Sequence, residues 1–325
     1  MTLPLIDLQS APAPELARSI DAAMRGHGFF AVAGHGVPAS VIDAAFDAAH
    51  RFFALPEGVK RRWHIDGWEQ RAPRSPQALA GTTGQQGAGA LPGGLLKRGF
   101  DPIGWQSLDP DNPPDVKESF YLGVESIGPN QWPDELLVPG FRAALDSYSA
   151  QMEVLARRLM GLFELALGVE RGGFDGFMRH PTCTTRLLHY PPQPAQALPG
   201  QIGCGAHTDW GALTLLAQDD AGGLQVQRAD GGWIDVEPLP GAFVVNAGDM
   251  TQRWTNDRWR STMHRVINRR SGRDRWSIAY FFDLDSDAVV TPLPQCTSAD
   301  DPPRYPPLTA GEHLAEMYRR TTVAA

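Results

Sequence analysis

A histidine and an aspartate stand two residues apart in the segment GAHTDWGALTLL, residues 205–216, just before an apolar run. Alternate residues of a strand point to the same face, so His207 and Asp209 can present an imidazole and a carboxylate to one point. Two ligands make a weak metal site. The pair therefore requires a third ligand from elsewhere in the chain.

The candidates for a third ligand are the histidines near the β-rich part of the sequence: His180, His189 and His264. His264 stands out because it begins the predicted strand HRVIN after a turn-rich connection. Two histidines and one carboxylate form the facial triad of non-haem iron(II) oxygenases, which leaves metal positions open for substrate and oxygen. A zinc hydrolase also suits such a ligand set, so the residues alone leave both metals open.

A second pair of polar residues follows His264 in the segment RWS. Arg275 and Ser277 again share one face of a predicted strand. A guanidinium beside a hydroxyl is well suited to a carboxylate, and each hydrogen bond to a charged group contributes roughly 1.5–3 kcal/mol. The pair therefore favours a keto-acid cosubstrate next to the metal.

The elements that must position these residues begin with a first half that mixes helix and strand. Apolar spacing predicts a helix that Gly26 closes, a buried strand at 28–34, and a second helix in which Pro38 is an early residue. The longest helix runs from Phe141 to Ala166, where apolar residues recur at three- and four-residue steps, and Gly168 stands at its C-terminal cap position.

The segment 71–94, between these helices, is dense in glycine and proline and has little apolar pattern. Such composition is typical of a loop within one domain. Two interpretations stay open: a lid that folds over bound substrate, and a surface insertion without function.

From about residue 182 the pattern changes to short β-rich runs separated by turn residues, with ADGG at 229–232 as a hairpin turn. Many short strands predict a sandwich, jelly roll or barrel. We expect an α+β fold with a mainly β core, a double-stranded β-helix (jelly roll), with an N-terminal helical or mixed region and the long helix as support. The expected regions form one structural unit: a mixed N-terminal region at 1–175, the catalytic jelly roll at 176–300 and a C-terminal tail or helix at 301–325.

Composition and charge exclude several classes of function. The formal net charge of −8 disfavours binding to nucleic acid or anionic lipid. Three scattered cysteines, Cys183, Cys204 and Cys296, form neither a disulfide framework nor a cysteine-rich zinc site. The N-terminus lacks the pattern of a secretory signal, and no run reaches the ~20 apolar residues of a membrane helix, so we expect a cytoplasmic protein. No sequence feature indicates the oligomeric state.

Several blocks of the sequence, taken in order, resemble the isopenicillin N synthase-like branch of the iron(II) and 2-oxoglutarate-dependent oxygenases. The resemblance covers nearly the whole chain through IDL, GFFAVAGHGVP, KESFYLG, RLLHYPP, GAHTDWGALTLL, VVNAGDMTQRWTNDRWRSTMHRV and RWSIAYFF. It implies that iron is bound by His207, Asp209 and His264. It further implies that Arg275 and Ser277 hold the distal carboxylate of 2-oxoglutarate.

The same resemblance makes Tyr190 an additional cosubstrate contact and identifies one departure from the family pattern. Plant members often have asparagine two positions before that tyrosine, where this chain has Leu188. The departure places one cosubstrate or active-site contact in doubt and leaves the metal ligands intact.

The implied activity is metal-centred oxidation of a small molecule with iron(II), 2-oxoglutarate and O2, and no side chain is assigned as a separate acid or base. Hydroxylation is the expected outcome, and desaturation or cyclisation needs only a different fate of the same substrate radical. One alternative is an oxidase that does not use 2-oxoglutarate, in which Arg275 and Ser277 hold a carboxylate of the substrate. An alternative from another class is an inactive jelly-roll binding protein.

Three residues near the predicted site are candidate substrate contacts. Trp210 and Phe282 lie close in sequence to site residues, although aromatic residues in β-rich runs usually belong to the core. Arg186 projects from the strand that carries Tyr190, where it either meets an acidic substrate or forms a structural salt bridge. Asp249 is a further carboxylate in this region, and we expect it to shape a turn.

Overall fold

A computed structural model describes most of the chain, namely residues 3–65, 97–109, 112–193, 198–268 and 272–321. The glycine- and proline-rich segment 71–94, with its predicted loop and lid, lies outside the described residues. Within the described ranges, no helix combines the length and the apolar character needed to cross a membrane.

The described part of the chain contains six α-helices: α1 Ala13–Gly26, α2 Ala39–Phe53, α3 Glu57–Lys60, α4 Phe141–Leu167, α5 Asp249–Trp254 and α6 Ala310–Thr321. Pro38 is the residue before α2 and not its first turn, since its ψ of 134° is extended. Gly168 ends α4 with a φ of 71°, a left-handed conformation that glycine adopts without strain.

Fourteen strands are distributed over the described ranges: β1 Leu5–Asp7, β2 Phe29–Ala33, β3 Gly99–Asp101, β4 Glu118–Gly123, β5 Thr184–Tyr190, β6 Cys204–His207, β7 Leu213–Gln218, β8 Leu224–Gln227, β9 Trp233–Asp235, β10 Phe243–Ala247, β11 His264–Val266, β12 Arg275–Phe282, β13 Val289–Val290 and β14 Leu308–Thr309. An eight-stranded sheet has the order β1-β2-β10-β7-β12-β5-β4-β3. A four-stranded sheet has the order β6-β11-β8-β9. Strands β13 and β14 pair separately.

The two larger sheets pack against each other through apolar side chains of both. Leu188, Val244 and Ala279 of the large sheet share one buried cluster with Leu224 and Val266 of the small sheet. Face-to-face packing of two mostly antiparallel sheets is the arrangement that a jelly roll requires. The space between the sheets, at one end of this cluster, contains the predicted site.

The opposite face of the large sheet is covered by helices. Leu145, Met152 and Leu159 of α4 are fully buried in the main core, together with residues of α1 and α2. The predicted N-terminal region also supplies strands, since β1 to β4 join the same sheet as the strands that follow residue 176. The mixed region and the jelly roll therefore share one sheet and one core.

Candidate functional site

The predicted metal ligands are brought together by one strand pairing. His207 is the last residue of β6, Asp209 follows two residues later, and His264 is the first residue of β11. Strands β6 and β11 are antiparallel, and their register places His264 directly opposite His207. Strand geometry thus supplies the third ligand from 57 residues away in sequence.

The donor atoms of these three residues point to one region. Oδ1 of Asp209 lies 4.0 Å from Nε2 of His207 and 3.7 Å from Nε2 of His264. All three donor atoms lie within 4.8 Å of one another. Because metal–ligand bonds are about 2.0–2.2 Å long, a single ion between them can reach all three donors with small side-chain adjustments.

Hydrogen bonds to the remaining polar atoms hold these side chains in the orientation that a metal needs. The Nδ1–H groups of His207 and His264 donate to the carbonyl oxygens of Gly205 and Thr262, at 2.8 and 3.1 Å. This leaves the Nε2 lone pairs free to coordinate.

The second oxygen of the aspartate is also occupied. Oδ2 of Asp209 accepts hydrogen bonds of 2.7 Å from Thr214 Oγ1 and from Asn246 Nδ2. Oδ1 is therefore the oxygen that faces the two imidazoles. These outer contacts leave one donor atom per ligand, so the residues present fit a metal ion.

Burial and the neighbouring charges determine the protonation states of the three predicted ligands. Burial lowers the pKa of His207, and burial together with the neighbouring His207 lowers the pKa of His264 to about 4. Burial raises the pKa of Asp209, but the two histidines and the bonds from Asn246 and Thr214 outweigh it, so the net shift is downward. At neutral pH the site therefore holds two neutral imidazoles and one carboxylate, the protonation states that metal binding requires.

One face of the triad opens into a cavity of about 540 Å³, which we call the inner chamber. It is lined by the three predicted ligands and by Arg275, Ser277, Tyr190, Leu188 and apolar residues of both sheets. The sequence-predicted metal ligands and cosubstrate residues thus border one space. Leu188 is the residue that departs from the family pattern. It stands opposite Ser277 in the register of β5 and β12.

The guanidinium of Arg275 lies in the inner chamber and is 1% exposed. Its Nη1 donates to Ser277 Oγ at 3.0 Å, its Nε donates to the carbonyl of Gly222 at 2.8 Å, and the group lies 4.8 Å from the ring centre of Tyr190. Among the described residues, no carboxylate oxygen lies within 4.0 Å of this guanidinium. A buried cation without a counter-ion is unfavourable, so the chamber favours an anionic ligand.

A second cavity, of about 550 Å³, also borders the triad, and we call it the outer chamber. Its walls include Trp210 and Arg186, the predicted substrate contacts, and the triad residues His207 and Asp209. The prediction that Phe282 contacts the substrate is corrected, because its side chain is fully buried in the main core. Its neighbour Phe281 lines both chambers, since consecutive strand residues point to opposite faces.

Arg186 borders both chambers and is also part of a structural network. Its Nη2 donates to Gln106 Oε1 at 2.8 Å and to Ser119 Oγ at 3.0 Å, and it lies 3.6 Å from Asp101 Oδ2. Its guanidinium stacks 4.5 Å from the ring centre of Tyr121. Arg186 therefore forms a salt bridge and also lines the outer chamber, and its contact with a substrate stays a prediction.

Sequence reasoning missed several residues that line the outer chamber, namely Gln106, Leu108, Tyr121, Thr184, Asp283, Leu314 and Tyr318. Most of them come from elements far from the HxD motif, and no local spacing points to them. Asp283 is the exception. It directly follows β12 and continues the series of alternate positions 275, 277, 279 and 281. The two-residue period of a strand could therefore have predicted it on the same face as Arg275.

The carboxyl of Asp283 is buried without full hydrogen bonding. The residue is 7% exposed, and its Oδ1 has no hydrogen-bond partner. Burial, and then the charge of Asp209, raises the pKa of Asp283 to about 7. Gly211 allows the close approach of this carboxyl, because a Cβ at Gly211 would lie 1.5 Å from Asp283 Oδ1.

The other candidates from the sequence supply no donor atom to the triad. His189 contacts Glu118 and Asp274 through its two ring nitrogens, at 2.8 and 2.7 Å. The backbone N–H of His180 donates to Asp285. Asp249, expected to shape a turn, is the first residue of α5, and its Oδ2 lies 3.2 Å from Nε2 of His313.

Comparison with known families matches two parts of the chain. Residues 181–284 match the 2OG-Fe(II) oxygenase superfamily, and residues 3–86 match the family described as non-haem dioxygenase in morphine synthesis N-terminal. The first match includes all the predicted metal and cosubstrate residues.

Individual relatives cover nearly the whole chain. The 2-oxoglutarate-Fe(II) type oxidoreductase hxnY of Emericella nidulans is 35% identical, over 98% of this chain and 88% of its own length. The 2-oxoglutarate-dependent dioxygenase citB of Monascus ruber is 37% identical, over 98% of this chain and 92% of its own. The crystal structure of a full-length Neurospora crassa protein in complex with alpha-KG and thymine matches with a TM-score of 0.82 at 28% identity, covering 98% of this chain and 96% of that one.

We expect the hydroxyl of Thr214 to contribute to metal binding through Asp209. Thr214→Val should lower the affinity for iron(II) by about 10-fold or more, because outer hydrogen-bond partners orient the ligands. Thr185→Val is the matched control, since Thr185 lies on β5 and its buried hydroxyl bonds Ser149 of α4 at 2.7 Å. Anaerobic iron(II) titration of both variants is the measurement, and equal losses of affinity would contradict a specific role of Thr214.

We expect Asp283→Asn to stabilise the metal-free protein at pH 7 by about 1–3 kcal/mol, because the neutral amide replaces a carboxyl whose ionised form is destabilised by burial. The folded-state pKa of Asp283 is raised from 3.8 to about 7. The contribution of this group to the stability of the folded protein is therefore greatest at low pH, where the carboxyl is protonated, and it is lost as the pH rises from 3.8 to about 7. The difference between variant and wild type should therefore grow from pH 4 to pH 7 in denaturant unfolding. A constant difference over this range would show that the buried charge is not its cause.

Proposed function

The chain belongs to the 2OG-Fe(II) oxygenase superfamily, and on that premise we propose how its own residues carry the reaction. It is an iron(II)- and 2-oxoglutarate-dependent oxygenase that uses O2, as predicted, and its fold is the predicted double-stranded β-helix. We propose that His207, Asp209 and His264 bind the iron.

The observation that carries the assignment is the inner chamber, which has the triad at one end and the uncompensated Arg275 at the other. A dianionic keto acid fits this arrangement, with one end at the metal and its distal carboxylate at the guanidinium. Arg275 and Ser277 would hold that carboxylate by charge-assisted hydrogen bonds. Tyr190, opposite Arg275 in the register of β5 and β12, would flank the same group.

When bound, iron and 2-oxoglutarate supply the activation of O2 that oxidises a substrate C–H bond, with succinate and CO2 as the other products. The protein's part is to bind, to orient and to exclude water. Apolar walls from Leu188, Leu216 and Val266 keep the inner chamber dry around the charged groups. A dry site strengthens the attraction between Arg275 and a carboxylate.

The substrate would occupy the outer chamber, whose volume lies in the range of small-molecule sites. Trp210 forms part of its wall and makes an edge contact of 5.1 Å with Tyr318 of α6. Arg186 and Phe281 line the outer chamber as well as the inner one. A molecule there would lie against His207 and Asp209, and hydroxylation is the outcome that we propose.

The direct test is an anaerobic titration of iron(II)-loaded protein with 2-oxoglutarate. We expect the visible charge-transfer band of a keto acid chelated to iron, and we expect His207→Ala to abolish it. If iron binds but no band forms, the proposed cosubstrate site is wrong. Arg275 and Ser277 would then be tested as anchors for a carboxylate of the substrate.

The role of Ser277 can be tested separately from the fold. Ser277→Ala should raise the 2-oxoglutarate concentration needed for half-maximal band intensity by roughly 10- to 100-fold, the effect of one hydrogen bond to a charged group. Ser149→Ala is the control, since it removes a serine hydroxyl that lines neither chamber. An unchanged requirement in Ser277→Ala would refute the assignment.

A further inference from the structure

The outer chamber contains a carboxylate that the proposed binding of iron and 2-oxoglutarate does not use. Asp283 is 7% exposed and lines this chamber, and its Oδ1 has no hydrogen-bond partner. Among the described residues, no nitrogen of lysine, arginine or histidine lies within 4.0 Å of its carboxylate. A buried carboxylate without a partner is costly, and such groups are retained mainly where they serve a function.

The position of Asp283 is suitable for contact with a substrate. It continues the face of β12 that carries Arg275, Ser277 and Phe281, so it stands two residues beyond an aromatic side chain that lines both chambers. It packs against Gly211, two residues after the metal ligand Asp209. A group bound by Asp283 would therefore lie close to the reacting centre.

The charges around the two chambers make Asp283 the unbalanced group. Iron(II) with Asp209, and dianionic 2-oxoglutarate with Arg275, sum to zero charge. Arg186 is balanced by Asp101 at 3.6 Å and donates its other bonds to Gln106 and Ser119. Among the described side chains that line the outer chamber, the carboxyl of Asp283 has no such partner, so its negative charge is unbalanced whenever it is ionised.

We propose that Asp283 is the substrate-recognising carboxylate of the outer chamber and that it selects small molecules carrying a nitrogen-borne hydrogen-bond donor, bound best as a cation. The proposal rests on the proposed function, because it assumes that the outer chamber is the substrate site. A charged or N–H nitrogen would satisfy the unpartnered oxygen and neutralise the excess negative charge. A neutral molecule without a donor would leave the carboxylate buried and unpaired, so it would bind more weakly.

The test uses a matched series of probes on the full-length, iron(II)- and 2-oxoglutarate-loaded protein. The probes are cyclohexylmethylamine, cyclohexanecarboxamide, cyclohexylmethanol and cyclohexanecarboxylate, which share one skeleton and differ in charge and donor. Their binding is measured anaerobically by titration calorimetry. We expect the amine to bind about 10-fold more tightly than the alcohol, the amide to lie between them, and the carboxylate to bind most weakly.

Two variants of neighbouring aspartates separate recognition from folding. Asp283→Asn should reduce the preference for the amine over the alcohol to within about 2-fold. Asp285→Asn should keep the preference, because the carboxylate of Asp285 is already used by the backbone N–H groups of Arg179 and His180. Equal binding of amine and alcohol by wild type, absence of binding by all four probes, or an unchanged preference in Asp283→Asn would overturn the proposal.

The charge-transfer band distinguishes failure of the proposed role of Asp283 from failure of the proposed function. We expect the band of iron-bound 2-oxoglutarate to be unchanged in Asp283→Asn, because Asp283 does not line the inner chamber. A wild-type protein without the band would disprove the proposed function. A wild-type protein with the band but without preference for the amine would disprove only the role of Asp283.

Discussion

The register between β6 and β11 is the constraint on which the site depends. It places His264 opposite His207, and Asp209, two residues after His207, reaches the same point. A shift by one residue would turn one imidazole to the opposite face of the small sheet. The hydrogen bonds from the histidine Nδ1 atoms to Gly205 and Thr262 are local, so ligand orientation follows once the two strands pair.

Strand β12 positions residues that line both chambers. One of its faces carries Arg275, Ser277 and Phe281 and leads to Asp283, so a single extended segment borders the inner chamber, the triad and the outer chamber in turn. It leads from a buried cation, Arg275, to a buried carboxyl, Asp283, and neither has a partner of opposite charge among the described residues. Arg275 favours an anionic ligand and the ionised carboxyl a cationic one, which would separate the proposed cosubstrate site from the proposed substrate site.

The fold and the candidate metal ligands could be predicted from sequence because their signals are local or periodic. Apolar spacing indicated α1, α2 and α4, and the HxD and RxS patterns follow from strand alternation. The walls of the outer chamber could not be predicted, since Gln106, Tyr121 and Tyr318 reach it only through long-range packing. Phe282 was chosen for its nearness in sequence, although the same alternation that pairs Arg275 with Ser277 selects Phe281 and Asp283.

The close packing of Gly211 against Asp283 has a consequence for how this family member can diverge. Any side chain at 211 would collide with the carboxyl, at 1.5 Å from its Cβ, while loss of the carboxyl first would free that space. A substitution at 283 therefore eases a later one at 211, because an intact Asp283 carboxyl would have to rotate away. Laboratory evolution toward new substrates should find these two sites epistatic, and libraries that randomise both together would sample the pairs without depending on the order of the changes.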